Sequence, residues 1–130
     1  MKGWFKVALV LLLVALVGGM AAGCNGEASP EDTVRGLIKA MEAQDAEKAG
    51  QYVVEDTRNE FVAGMKMAFA FIDSMKISNL KLTVASQTEN TATVVAEFDL
   101  EVKIMGETEK SRESDTLDLV KVDGKWLIIE

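Results

Sequence analysis

Residues 91–105 read TATVVAEFDLEVKIM and alternate almost without fault. Ala92, Val94, Ala96, Phe98, Leu100, Val102 and Ile104 form one apolar series, and Thr93, Glu97, Asp99, Glu101 and Lys103 stand between them. Val95 and Met105 are the exceptions. A period of two sends successive side chains to opposite faces of a sheet, so this is a long strand with one apolar and one charged face. Strands of that kind belong to antiparallel sheets covered on one side and wet on the other. The apolar face of this strand holds no acid, base or nucleophile, which limits the chemistry it can host.

Partner strands flank it. On the N-terminal side Ile77–Ser86 carries Leu80, Leu82 and Val84 in phase, and Thr88-Glu89-Asn90 makes the turn. On the C-terminal side Gly106–Ser111 interrupts the pattern and Arg112–Val122 forms a third strand. There the apolar phase slips from Leu117 and Leu119 to Val120 and Val122, as at a bulge. Asp123-Gly124 is a two-residue hairpin signal, and Lys125–Glu130, with Trp126, closes a four-stranded meander.

Helical periodicity precedes the strands. Ser29 reads as an N-cap, with Pro30 at the first helical position and Glu31 and Asp32 at the positive end of the dipole. Val34, Leu37, Ile38 and Met41 then give a buried stripe, ending near Ala43. Asp45 caps a short second helix, Ala46–Tyr52. Thr57 and Glu60 have capping-box spacing for a third helix, from Arg58 to about Ser74. Its wide arc of Phe61, Val62, Met65, Ala68, Phe69 and Ile72 reads as core, with a ligand cavity lined by Met and Phe as the alternative. Helices followed by a meander predict an α+β domain with the helices on one sheet face.

Ser29-Pro30-Glu31-Asp32, Gln44-Asp45 and the closing Leu119-Val120-Lys121-Val122-Asp123-Gly124-Lys125-Trp126 resemble nuclear transport factor 2-like (cystatin-like) domains, and more narrowly the lumazine-binding-like domains of bacterial lipoproteins. The resemblance implies a cone: three N-terminal helices on a curved four-stranded antiparallel sheet. It also implies that an enzyme on this fold would use an Asp, His or Tyr projecting into the cone, and that relatives often dimerise through the sheet. The hairpin that many members insert between helices has only Gln51–Val54 as a candidate here.

Residues 1–23 read differently. Lys2 and Lys6 make a basic start, Val7–Val17 is wholly apolar, and small residues lead to Cys24. An apolar run this short suits a signal peptide better than a membrane span, which needs roughly 20 residues. Ala21-Ala22-Gly23-Cys24 resembles the lipobox of bacterial lipoproteins, which implies cleavage between Gly23 and Cys24 and a diacylglycerol on the Cys24 thiol. Ala21 and Gly23 equally satisfy the small-x-small rule of ordinary secretion, so a soluble exported protein is the alternative. The expected organisation is a signal peptide over 1–23, a lipidated tether over 24–28 and one domain over 29–130. Such a protein sits on the outer face of the plasma membrane or on the outer membrane.

Removing the leader leaves 12 basic against 21 acidic residues, a net charge of −9. That sign opposes nucleic-acid binding, which rests on neutralising phosphates. The membrane contact is expected through the lipid on Cys24, and the other expected partners are a protein or a second copy of the chain.

Without a single His, His-based acid–base chemistry and His metal ligands are excluded. No metal site and no cofactor are expected. Tyr52, Met65, Phe69, Phe98, Leu100 and Trp126 are the candidates for lining a cavity. The reading is a non-catalytic, lipid-anchored domain that binds a protein or a small apolar ligand; the alternatives are a small isomerase or dehydratase using Tyr52, or a dimerising structural module.

Overall fold

A computed structural model of the chain describes residues 29–129; the expected leader, the expected Gly23–Cys24 cleavage site and the expected lipid attachment at Cys24 lie outside the described residues. Three helices, α1 (Pro30–Glu42), α2 (Ala46–Gly50) and α3 (Glu55–Ala70), precede four strands. These are β1 (Ser74–Gln87), β2 (Thr91–Ile104), β3 (Glu107–Val122) and β4 (Lys125–Ile128), paired in chain order as an antiparallel meander. Three helices on a curved four-stranded antiparallel sheet is thus the architecture observed.

The first helix starts where its cap dictates. Ser29 Oγ accepts from the Asp32 N–H at 3.2 Å, and the Ser29 N–H donates to Asp32 Oδ2 at 3.3 Å, a reciprocal box that satisfies two otherwise orphaned donors. Asp45 caps α2 with a single bond, accepting from the Lys48 N–H at 3.1 Å. The stripe of α1 (Val34, Leu37 and Ile38) is buried against Val84, Ala92, Val94, Ala96, Leu119, Trp126 and Ile128. At roughly 1.5–3 kcal/mol per buried branched side chain, this cluster is the main stabilising element. Thr33 ties α1 to β4 by donating to the Trp126 carbonyl at 2.8 Å.

The third helix departs from expectation. It begins at Glu55 rather than Arg58 and ends at Ala70, and Ser74 opens β1. The cause lies upstream: Val53 bridges Ile128 in parallel, and the Val54 N–H donates to the Ile128 carbonyl at 3.0 Å. The chain leaves that one-residue strand directly into the helix. Thr57 therefore does not cap, and its hydroxyl is buried without a partner among the described residues. Arg58 instead anchors the helix start, donating to the Gly50 and Val53 carbonyls at 2.8 Å each. Gln51–Val54 supplies this single bridge, and no hairpin stands between helices among the described residues.

The third strand differs too. Met105 and Gly106 both have positive φ (52° and 83°) and make a two-residue turn, so β3 begins at Glu107, five residues before the expected start. From Ile104–Glu107 to Thr91–Val120 the β2–β3 register runs without a shift. The bulge expected in β3 does not exist. The irregularities lie in β1, between Ser78 and Lys81, where Asn79 takes φ 53°, and between Val84 and Ser86. Asp123-Gly124 forms the expected hairpin, with φ of 51° and 79°.

Candidate functional site

Residues directly opposite one another in an antiparallel pair share a sheet face. Leu119, Leu117, Asp115, Glu113, Ser111 and Glu109 of β3 stand opposite Ala92, Val94, Ala96, Phe98, Leu100 and Val102 of β2. On the other flank Leu82, Ile77 and Met75 stand opposite Ala96, Leu100 and Val102. Since Val94, Ala96 and Leu119 pack on α1, this is the face toward the helices.

The face has two halves. From Ala92 to Ala96 it is buried under α1; from Phe98 onward it opens, with Phe98, Leu100 and Val102 half-buried and Ile104 37% exposed. The third helix is strapped at both ends, by Arg58 at its start and just past its end by Gln44, which donates to the Ile72 carbonyl at 3.0 Å. Asp73 adds a backbone bond to the Lys103 carbonyl at 2.7 Å. Between those straps α3 buries none of its residues. Its apolar stripe, expected to be core, is only half-buried at Phe61, Met65 and Phe69, while Met67 and Phe71 are 69% and 64% exposed.

The six expected lining residues do not converge. Trp126 is buried in the core, with the Lys121 ammonium 5.6 Å from its ring centre. Tyr52 and Phe98 pack against the same cluster, and the Tyr52 ring occupies the space beside Gly36 that a Cβ there would need. Phe69 lines a depression of about 520 Å³ against the α1–α2 turn, with Gln44 and Lys66. Leu100 borders another of about 380 Å³, with Asp99, Lys110 and Ser111. Met65 sits half-buried on α3.

The inner face is not free of acids. That expectation holds along β2 and fails along β3, because the unbroken register carries Glu113 and Asp115 inward beside Phe98 and Ala96. Both are half-buried. Glu113 accepts from Ser111 Oγ at 2.7 Å. Burial pushes the Asp115 carboxyl above its ordinary range; the Thr116 backbone N–H pulls the other way, and the Glu113 charge adds to the rise. Among the described residues Asp115 has no ion-pair partner. On the opposite face Asp99 is held below its usual value, chiefly by the Asn79 side chain (2.6 Å) and then by Arg112 (3.0 Å). The signal for the inward acids was present in the sequence: counting back by twos from Leu119 and Leu117 reaches Asp115, Glu113 and Ser111. An apolar floor beside a row of carboxylates can hold a hydrocarbon group and receive a cation or a hydrogen-bond donor.

Among the described residues, no group of three or more His, Cys, Asp or Glu is placed to hold a metal ion, and no helix is long and apolar enough to cross a membrane.

No family model and no curated protein matches the chain. Solved structures do. A protein of Novosphingobium aromaticivorans provisionally called an aromatic ring hydroxylase superposes with TM-score 0.69 at 11% identity, over 75% of this chain and 80% of that one. A ketosteroid isomerase-like protein from Erwinia carotovora atroseptica gives 0.66 at 14% identity, over 75% and 86%. A provisional dehydratase of the NTF2-like family from Streptomyces avermitilis gives 0.61 at 12%, over 74% and 86%. Identities this low speak for the fold alone, and that fold is the NTF2-like one.

Proposed function

We propose that this chain is a lipid-anchored, extracytoplasmic binding domain that takes a small, largely apolar ligand against the open half of its sheet and performs no bond-making of its own. The observation that carries the reading is the helix-facing side of β2, where Phe98, Leu100 and Val102 stay only partly buried, together with a third helix that is strapped at both ends and fully buries none of its residues. A well-packed domain leaves few voids, so an apolar sheet face that no helix fully covers reads as room for a guest. The anchor is supported by the lipobox-like Ala21-Ala22-Gly23-Cys24. A neutral apolar fluorophore such as N-phenylnaphthylamine tests the pocket. Its emission should rise on mixing with the full chain carrying Cys24→Ser, and Leu100→Glu should abolish the rise. Equal emission from both proteins rejects the pocket. The anchor is tested separately, by moving Cys24→Ser into the soluble fraction of the cells that express it.

A second reading is favoured by one specific feature, the half-buried Asp115 beside Glu113 on the inner face. A carboxyl that burial makes harder to ionise holds its proton to higher pH than a free one, which suits it to proton transfer. Solved structures of the same fold include proteins named for dehydratase and isomerase activities. Under this reading Asp115 replaces Tyr52 as the acid–base group. Solvent-deuterium exchange into a bound α,β-unsaturated ketone, lost in Asp115→Asn, would favour the enzyme over the binding domain.

A further inference from the structure

Resting on the binding reading above, we propose that the open half of the sheet is a site for amphiphilic cations: one hydrocarbon tail with an ammonium or guanidinium head. Two lanes run side by side there. Phe98, Leu100 and Val102 form the apolar lane on β2, and Asp115, Glu113, Ser111 and Glu109 form the polar lane on β3. Neighbouring strands lie about 4.8 Å apart, so a guest lying along β2 has the carboxylates at its flank. Between Phe98 and Ile104 the apolar lane offers about 20 Å at 3.4 Å per residue, enough for a long tail running toward the Met105–Gly106 turn.

Charge selects the head. Among the described residues, the helix-facing positions of β3 from Glu107 to Leu119 are four carboxylates, one serine and two leucines, with no lysine or arginine. The basic residues of this region, Lys103, Lys110 and Arg112, occupy the alternate positions and point to the other face, where Lys110 meets Glu101 and Arg112 meets Asp99. Asp115, half-buried and without an ion pair among the described residues, gains from an opposite charge that those residues do not supply. An anionic head would meet like charges in a partly desolvated groove, and a neutral head would gain only the apolar contact.

The full chain carrying Cys24→Ser, titrated calorimetrically at pH 7 and low salt, separates these cases. The ligands are dodecyltrimethylammonium, dodecyl maltoside and dodecyl sulfate, each below its micelle-forming concentration. The cation should bind at least tenfold tighter than the uncharged amphiphile, and the sulfate weakest. Glu113→Gln with Asp115→Asn should cut the cation preference below threefold and leave dodecyl maltoside affinity unchanged, which also reports that the variant is folded. Glu89→Gln with Asp123→Asn, which removes the same charge from exposed turns, should keep the full preference. Equal binding of the three ligands, or a preference that survives in the inward double variant or disappears in the turn variant, overturns the charge selection and leaves the binding domain standing. Absence of binding by all three overturns both.

Discussion

Two halves of one strand, both on the same face and both apolar, end in different environments. Ala92, Val94 and Ala96 are buried beneath α1, whereas Phe98, Leu100 and Val102, continuing the same alternation, stay only partly buried. The side chains do not explain it, since the exposed half carries the larger ones. What differs is the cover. The first helix has three large aliphatic residues buried on the sheet; the third is fixed at its ends by Arg58 and the Gln44–Ile72 bond and buries nothing along its length. One half of the sheet therefore serves stability, and the other is where the proposed site lies.

The largest test of that division sets two leucines of this face against each other. Leu119, 1% exposed, should lose about 2–5 kcal/mol on truncation to Ala, because transfer and cavity terms add at a site that cannot collapse. Leu100→Ala should cost less, about 1 kcal/mol, its side chain being only partly buried. Urea midpoints of the two variants give the comparison directly. Similar losses would mean that the open half is as structural as the closed one.

Next in size is Gly50→Ala. A Cβ at this position would run into Val62 Cγ2, at the packing of α2 on α3. Overpacking of this kind costs about 1–3 kcal/mol. Because α3 packs chiefly on α2, the substitution should loosen α3 and leave the α1 core intact. Hydrogen exchange should accelerate along Glu55–Ala70 and stay slow from Ala92 to Ala96; uniform acceleration would tie α3 to the core after all. Ser29→Ala comes below it. Losing the reciprocal Ser29–Asp32 cap should cost about 1 kcal/mol, read as a shift of the thermal midpoint at unchanged ligand binding.

The closed half was the legible one. Its elements obey local rules: the Ser29 cap, the Val34–Leu37–Ile38 stripe and the Asp123-Gly124 turn each name their own structure. The open half depends on choices that local rules do not fix. A methionine in left-handed backbone at Met105 is an uncommon turn former, so the true start of β3 at Glu107 was hidden, and Gly106–Ser111 read as a break. Val120 and Val122 imitated a bulge although they merely lie on the other face, and that false bulge concealed the phase that turns Glu113 and Asp115 inward. The wide apolar arc of α3 gave no sign that its partner surface would stand open, because periodicity reports which face is greasy and not what covers it. Thr57 and Glu60 had capping-box spacing, but the Val53–Ile128 bridge, a tertiary contact, set the helix start instead.

The smallest expected effect is the most specific to the open half. Burial raises the Asp115 pKa from 3.8, so the folded state holds a proton that the unfolded state has already released. Stability attributable to this group is therefore fully present below pH 3.8 and is lost as pH rises from there through the higher folded value. Asp115→Asn should remove that loss. At pH 7 its Tm should exceed the parent's by about 2 °C, a modest gain because a half-solvated carboxylate is screened and 1 kcal/mol corresponds to about 4–8 °C in a domain this small. At pH 3.5 the two proteins should melt together. Asp99 works in the opposite sense on the outer face: Asn79 and Arg112 lower its pKa, so its contribution is present above pH 3.8 and is lost as pH falls through the folded value. It is unaltered in both proteins and cancels from the difference. A Tm gap of one size at both pH values would mean that Asp115 ionises as freely as it does in the unfolded chain, and that the floor beside Phe98 is wetter than its half-buried side chains indicate.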